Sequence, residues 1–384
     1  MKTQSITGRD PHSGQPLKVT FEEGRIRAID SGPADERAWL SPGFIDLQVN
    51  GYLGSDVNSN AVDRDVVVAL TQKMLATGVT TYLPTIVTAS ESRIVASLRA
   101  IAEARRTDPL VAHAIPYAHV EGPHISPEDG ARGAHAREYV RPPSVAEFDR
   151  WQQACGDLVG MVTLSPHWDG ALEYISALAG KEIVVSIGHS DATPAQIHAA
   201  ADAGATLSTH LGNGLKSPLP RHPNLLWTQL AEDRLTACFI ADGHHLPADT
   251  LKAMLRAKGI ERSILVSDTV SLGGMPAGIY DADMLGGRVE VTADECVRSA
   301  TGGRFLAGAY RVLPDGVAHV AGMDGFTLSD AVRMATENPG RFVGGRGCLR
   351  VGADADLVRF AWEPGTTKLR IDTVLVQGDE WKAR

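Results

Sequence analysis

Most of the chain alternates short apolar, β-branched runs with longer stretches whose apolar positions recur every three to four residues. Eight of the short runs end in or next to a polar residue: FIDLQVN (44–50), VTTYLPT (79–85), IPYAHVE (115–121), MVTLSPH (161–167), IVVSIGH (183–189), ATLSTHL (205–211), TACFIAD (236–242) and SILVSD (263–268). Apolar runs of this length read as strands buried on both faces. The stretches between them, such as DVVVALTQKMLATG (65–78) and LPADTLKAMLRAKG (246–259), carry helical periodicity and stop at glycine, which suits a left-handed C-cap. Eight strand-then-helix units predict an α/β fold of the (β/α)8 TIM-barrel type.

The chain ends read differently. LKVTF (17–21) and RIRAID (25–30) lie near one end, ADLVRFA (355–361) and DTVLVQG (372–378) near the other, with Ser31-Gly32-Pro33 as a turn. Neither pair makes a core alone. Residues 1–41 and 351–384 are therefore expected to share one small, discontinuous β-sandwich, with 42–350 forming the barrel.

Composition narrows the class. At 384 residues and 43% apolar, the chain can bury a large core without covalent staples. A net charge of −9 argues against a nucleic-acid partner. No apolar run reaches the ~18 residues of a membrane span, and no apolar segment follows the N-terminus as in a signal peptide. Cys155, Cys238, Cys296 and Cys348 form no C-x-x-C pair. Reduced cysteines in a cytoplasmic protein are expected, with neither nucleic acid nor membrane as partner.

Barrel enzymes place their chemistry at the C-terminal strand edges. Those edges hold Gln48, Asn50, Glu121, His167, His189, His210, Asp242 and Asp268. Glu121, His189 and His210 make a metal set: one carboxylate and two imidazoles suit Zn²⁺ or a similar ion and leave a position open. Asp268 reads equally as a proton shuttle for a water or as a helix N-cap.

The stretches PGFIDLQVNG, HVEGP, GAHAREYVRPP, VTLSP, IGHSDAT, STHLGNG, IADGHH and LVSDT, followed by ATENPGRFVG and GCLRVGADADLV, resemble the N-acetylglucosamine-6-phosphate deacetylases of the amidohydrolase superfamily. The resemblance runs from about Ser41 to Val358. It implies hydrolysis of N-acetyl-D-glucosamine 6-phosphate, a small-molecule substrate, with Asp268 as the proton shuttle. It also implies one divalent ion per chain on Glu121, His189 and His210: zinc, with iron, cobalt or manganese as alternatives. Many amidohydrolases carry His-x-His on the first strand for a second metal. Gln48-Val49-Asn50 stands there instead, and amides are poor ligands beside imidazoles.

The family's substrate positions fall on Ala134 and His135 for the sugar and its acetyl group, and on Asn213, Gly214 and Arg221 for the phosphate. His245 matches another substrate contact, and Leu306, Ala307 and Gly308 match a loop over the acetyl end. A homodimer is expected, and His244 is expected to be an exposed loop residue. The chain departs from the family at Gly212 and Gly214, His167, His124 and Ala309-Tyr310. These four changes are expected to ring the pocket and to alter the sugar it accepts. Another N-acylhexosamine, either the galactosamine epimer or the free sugar, is the alternative substrate. A cyclic-amide or N-acyl-amino-acid amidohydrolase is less favoured, because those sites usually hold two metals.

Overall fold

The computed structural model describes residues 3–216, 218–282, 287–300 and 306–382. All eight apolar runs contain strands: Phe44–Val49, Val79–Val87, Ala118–Glu121, Val159–Leu164, Val184–Ile187, Leu207–Ser208, Thr236–Ile240 and Ser263–Val266. They lie side by side in chain order in one parallel sheet. Most are shorter than the runs that announce them, so several polar residues stand in the turns just beyond.

The last strand meets the first through main-chain bonds that follow it. Asp268 N–H donates to Gln48 O at 3.0 Å, Asn50 N–H to Thr269 O at 2.9 Å, and Val49 bridges Thr269. Closure also shows in the packing. Ile45, Leu83, Met161, Leu207, Ile240 and Val266, from six different strands, share one buried cluster. The helices turn their apolar faces to the sheet, as in Arg64–Ala76, which buries Val67, Leu70, Met74 and Leu75. Asp63 caps that helix by accepting the Val66 N–H, a contact worth about 1 kcal/mol.

The two chain ends build one seven-stranded sheet, in the order Asp379–Glu380, Arg370–Val376, Leu357–Ala361, Trp39–Pro42, Gln4–Arg9, Pro16–Glu22 and Arg25–Ser31. The sheet curls onto itself, because Ile26 N–H donates to Ala353 O and Ala355 N–H to Gly24 O. Leu17, Val19, Phe21, Ile26, Leu40 and Leu357 fill the fold so made.

One element had no counterpart in the pattern reading. A small antiparallel sheet, Gly278–Ala282, Gly287–Val291 and Val297–Ser299, is inserted after the eighth barrel strand. It packs Val289, Val291 and Val297 on Val270, Leu272 and Ala307. Among the described residues no helix is long and apolar enough to cross a membrane.

Candidate active site

Glu121 ends the third strand, while His189, His210 and Asp268 each stand two residues beyond the fifth, sixth and eighth strands. All three adopt positive φ, at 47°, 26° and 53°. Non-glycine residues hold this conformation at a cost of order 1–3 kcal/mol, which the surroundings must offset. Here the left-handed turn brings each side chain to the barrel mouth. For Asp268 the offset is visible: its N–H is bound by Gln48 O and its carbonyl by Ala309 N–H at 3.1 Å. The next element after Asp268 among the described residues is the strand Gly278–Ala282, so its carboxylate caps no helix.

Glu121 Oε1, His189 Nε2 and His210 Nε2 form a triangle with sides of 3.0, 3.1 and 3.3 Å. Ligands about 2.0–2.1 Å from a tetrahedral ion would stand roughly 3.3 Å apart. His189 Nδ1 donates to Ala131 O at 2.8 Å, which leaves Nε2 as the ring nitrogen turned toward the carboxylate. A divalent cation would fit between one carboxylate and two imidazole nitrogens, and Glu121, His189 and His210 are the residues that could hold it. Burial alone would push the Glu121 carboxyl up, but the two histidines hold it well below the usual range. Burial would likewise lower His210, and the Glu121 bond outweighs that and raises it.

Amides stand around this triangle. Gln48 Nε2 donates to Glu121 Oε1 at 2.9 Å, and Asn50 Nδ2 donates to Asp268 Oδ1 at 2.7 Å. The QVN sequence that weighed against a second metal thus orients both carboxylates. Burial, then repulsion from Glu121, pushes Asp268 up to about 6. His135 reaches the same point, with Nε2 3.2 Å from His189 Nε2. Its Nδ1 is held by Thr88, 2.8 Å from the hydroxyl and 3.4 Å from the main-chain N–H, which aims Nε2 at the centre. Burial, followed by the His189 charge, lowers His135 to about 3, which keeps it neutral.

A cavity of about 340 Å³ opens above these groups. Ala134, His135, Asn213 and Gly214 line it on one side, with His245, Leu306, Ala307 and Gly308 elsewhere on the wall. Asp56, Asn58 and Ser271 also line it, a contribution that no motif signalled. Arg221 is exposed and lies outside the lining. His244 is not the exposed loop residue expected: it is half-buried in the pocket wall. Asp242 explains why, since it accepts the His244 and His245 N–H groups at 2.9 Å and His245 Nδ1 at 2.7 Å, pinning the turn inward.

Only one of the four departures reaches the cavity. Gly214 lines it, and a Cβ there would lie 2.8 Å from His189 Nδ1, with φ at +57°. His124 is buried between Trp151 and Tyr174, and His167 bonds Ser165 Oγ at 2.6 Å. Tyr310 hydrogen-bonds Met275 O, and Ala309 is packed against Thr269. The ring of pocket changes expected from the sequence is therefore mostly core and loop packing.

A parallel barrel carrying a Glu-His-His centre defines the class: residues 39–380 match the model of the amidohydrolase family. The chain is 32% identical over 332 residues to the N-acetylglucosamine-6-phosphate deacetylase of Bacillus subtilis, covering 85% of this chain and 81% of that one. It is 33% identical over 369 residues to the N-acetylgalactosamine-6-phosphate deacetylase of Escherichia coli O157:H7, covering 94% and 93%. The Mycobacterium smegmatis N-acetyl-D-glucosamine-6-phosphate deacetylase, solved with N-acetyl-D-glucosamine-6-phosphate, superposes with a TM-score of 0.87 at 28% identity over 99% of both chains. The chain belongs to the N-acetylglucosamine-6-phosphate deacetylase family of amidohydrolases.

Proposed function

We propose that the protein hydrolyses N-acetyl-D-glucosamine 6-phosphate to acetate and D-glucosamine 6-phosphate, with one divalent ion held by Glu121, His189 and His210. The observation that carries this reading is the triangle of ligand atoms beside the clamped Asp268, in a chain whose relatives are named for that reaction. A bound ion there supplies Lewis-acid polarisation of the amide carbonyl. Asp268 takes the proton of the attacking water and returns it to the leaving nitrogen, while Asn50 holds the carboxylate. His135 Nε2–H donates to the carbonyl oxygen as negative charge gathers there. Leu306, Ala307 and Gly308 cover the acetyl end, and the Asn213-Gly214 backbone meets the sugar phosphate. Zinc suits one carboxylate and two imidazoles. A reducing, cytoplasmic setting is supported by four unpaired cysteines.

A second reading, a different or unphosphorylated N-acylhexosamine, has its own support. No lysine or arginine stands among the described lining residues, and one similar relative is named for the galactosamine epimer. The deciding measurement is acetate release over N-acetylhexosamines with and without a 6-phosphate. N-acetyl-D-glucosamine 6-phosphate is expected to be fastest. Faster turnover of a free sugar or of the epimer would put the second reading first.

A further inference from the structure

Thr88 stands just beyond the second barrel strand, Val79–Val87, and is buried. A buried hydroxyl must find its partners inside the protein. Two atoms lie in reach of it: His135 Nδ1 is 2.8 Å from Thr88 Oγ1, and Glu121 O is 3.4 Å away. The Thr88 main-chain N–H also faces His135 Nδ1, at 3.4 Å. Gly122 makes room for this meeting, since a Cβ there would lie 2.2 Å from the Thr88 hydroxyl. Threonine and histidine are 47 residues apart in the chain, and no motif joins them.

The contacts allow two proton arrangements. In one, the hydroxyl donates to Nδ1, and the ring carries its proton on Nε2. In the other, Nδ1–H donates to the hydroxyl, which passes its own proton to Glu121 O. The main-chain N–H decides between them. It can only donate and cannot rotate away, so a proton on Nδ1 would confront it. A doubly protonated ring fails for the same reason. The first arrangement also gives the hydroxyl proton the shorter of its two contacts. It leaves Nε2–H at the ligand triangle, 3.2 Å from His189 Nε2 and 3.8 Å from Glu121 Oε2.

We infer that Thr88 is a positioning residue: its hydroxyl and main-chain N–H hold His135 as the Nε2–H tautomer, ready to donate to the substrate carbonyl. The consequence for turnover rests on the deacetylase reading above. Thr88 itself touches no reacting atom and acts through His135.

The test uses the zinc-loaded protein as wild type, Thr88→Val and Thr88→Ser. Valine keeps the shape and removes the hydroxyl, whereas serine keeps the hydroxyl. For N-acetyl-D-glucosamine 6-phosphate, Thr88→Val should lower kcat about 10- to 100-fold with KM within about threefold. The loss falls on kcat because the bond to the carbonyl oxygen strengthens only as charge gathers there. Thr88→Ser should return kcat to within about threefold of wild type, and metal content should be unchanged in both. The ring is read directly by NMR of histidine-labelled wild type without substrate, its signal assigned by comparison with His135→Asn. An Nε2–H ring is expected. A proton on Nδ1, near-normal kcat in Thr88→Val, or a serine variant as slow as the valine one would overturn the inference. The wild-type ring signal decides the matter even where Thr88→Val does not fold. Acetate release by an enzyme with an Nδ1–H ring sinks only the inference. An Nε2–H ring in a chain that releases no acetate sinks only the substrate reading.

Discussion

Asp268 shows how one residue is prepared for its role. Its main chain is gripped from both sides in a left-handed turn, and its carboxylate is held by Asn50. Burial pushes the carboxyl up to about 6, and a cation at the neighbouring centre acts in the opposite direction, favouring the base. Asp268→Asn keeps an oxygen for the Asn50 contact and loses the base. The expected result is an unchanged metal content and Tm with kcat lowered ~10²–10⁴-fold; near-normal turnover would remove Asp268 from the chemistry. Gly214 makes a second residue-scale case. Ser190 N–H bonds Gly214 O at 3.0 Å, so the loop is tied against the ring of a metal ligand. Gly214→Ala puts a methyl group 2.8 Å from His189 Nδ1. It should weaken metal binding about 10- to 100-fold, the scale for disturbing a ligand's surroundings, as read by chelator competition. Wild-type affinity in that variant would mean that the loop yields freely.

Between the first and eighth strands, closure depends on a buried acid. Asp46 Oδ1 accepts the Gln48 N–H at 3.2 Å and the Ser267 N–H at 3.1 Å, while Oδ2 finds no partner. Burial raises this carboxyl from 3.8 to about 7. The folded state therefore holds a proton there that the unfolded state releases, and stability falls as pH rises from about 4 to about 7. The loss is on the order of 2–4 kcal/mol. Asp46→Asn should flatten that slope in denaturant unfolding at pH 5 and pH 8, and an unaltered slope would show that Asp46 is ionised in the fold. At the same scale lies the inserted sheet, whose Val289, Val291 and Val297 pack against Ala307 and so place the 306–308 loop over the pocket.

For the molecule as a whole, the metal is expected to link activity to stability. Three ligand atoms within 4.8 Å of one another make one site, so elemental analysis should find one tightly bound ion per chain. Restoring Zn²⁺ to chelated protein at ~100 Kd should stabilise it by about 2.7 kcal/mol, a rise of several degrees in Tm. Two tight ions per chain, or full activity in chelator, would refute the single centre. Much of this architecture was legible beforehand because it rests on local periodicity. Eight buried runs gave the barrel, and Glu121, His189, His210 and Asp268 fell at strand edges because parallel strands all point one way. Strand length was less legible, since apolar runs continue past the last paired residue. The roles of Gln48 and Asn50 were invisible, because an amide's value lies in its partner. Glu121 and Asp268 lie 73 and 218 residues away from them in the chain. Sequence by itself determined the barrel, the residue types at its strand edges and the family. Tertiary structure puts His244 in the pocket wall and Arg221 outside its described lining, and turns three of the four departures to packing. The reason is physical: periodicity and residue chemistry are written along the chain, whereas the direction of a loop side chain is set by distant contacts such as the carboxylate of Asp242.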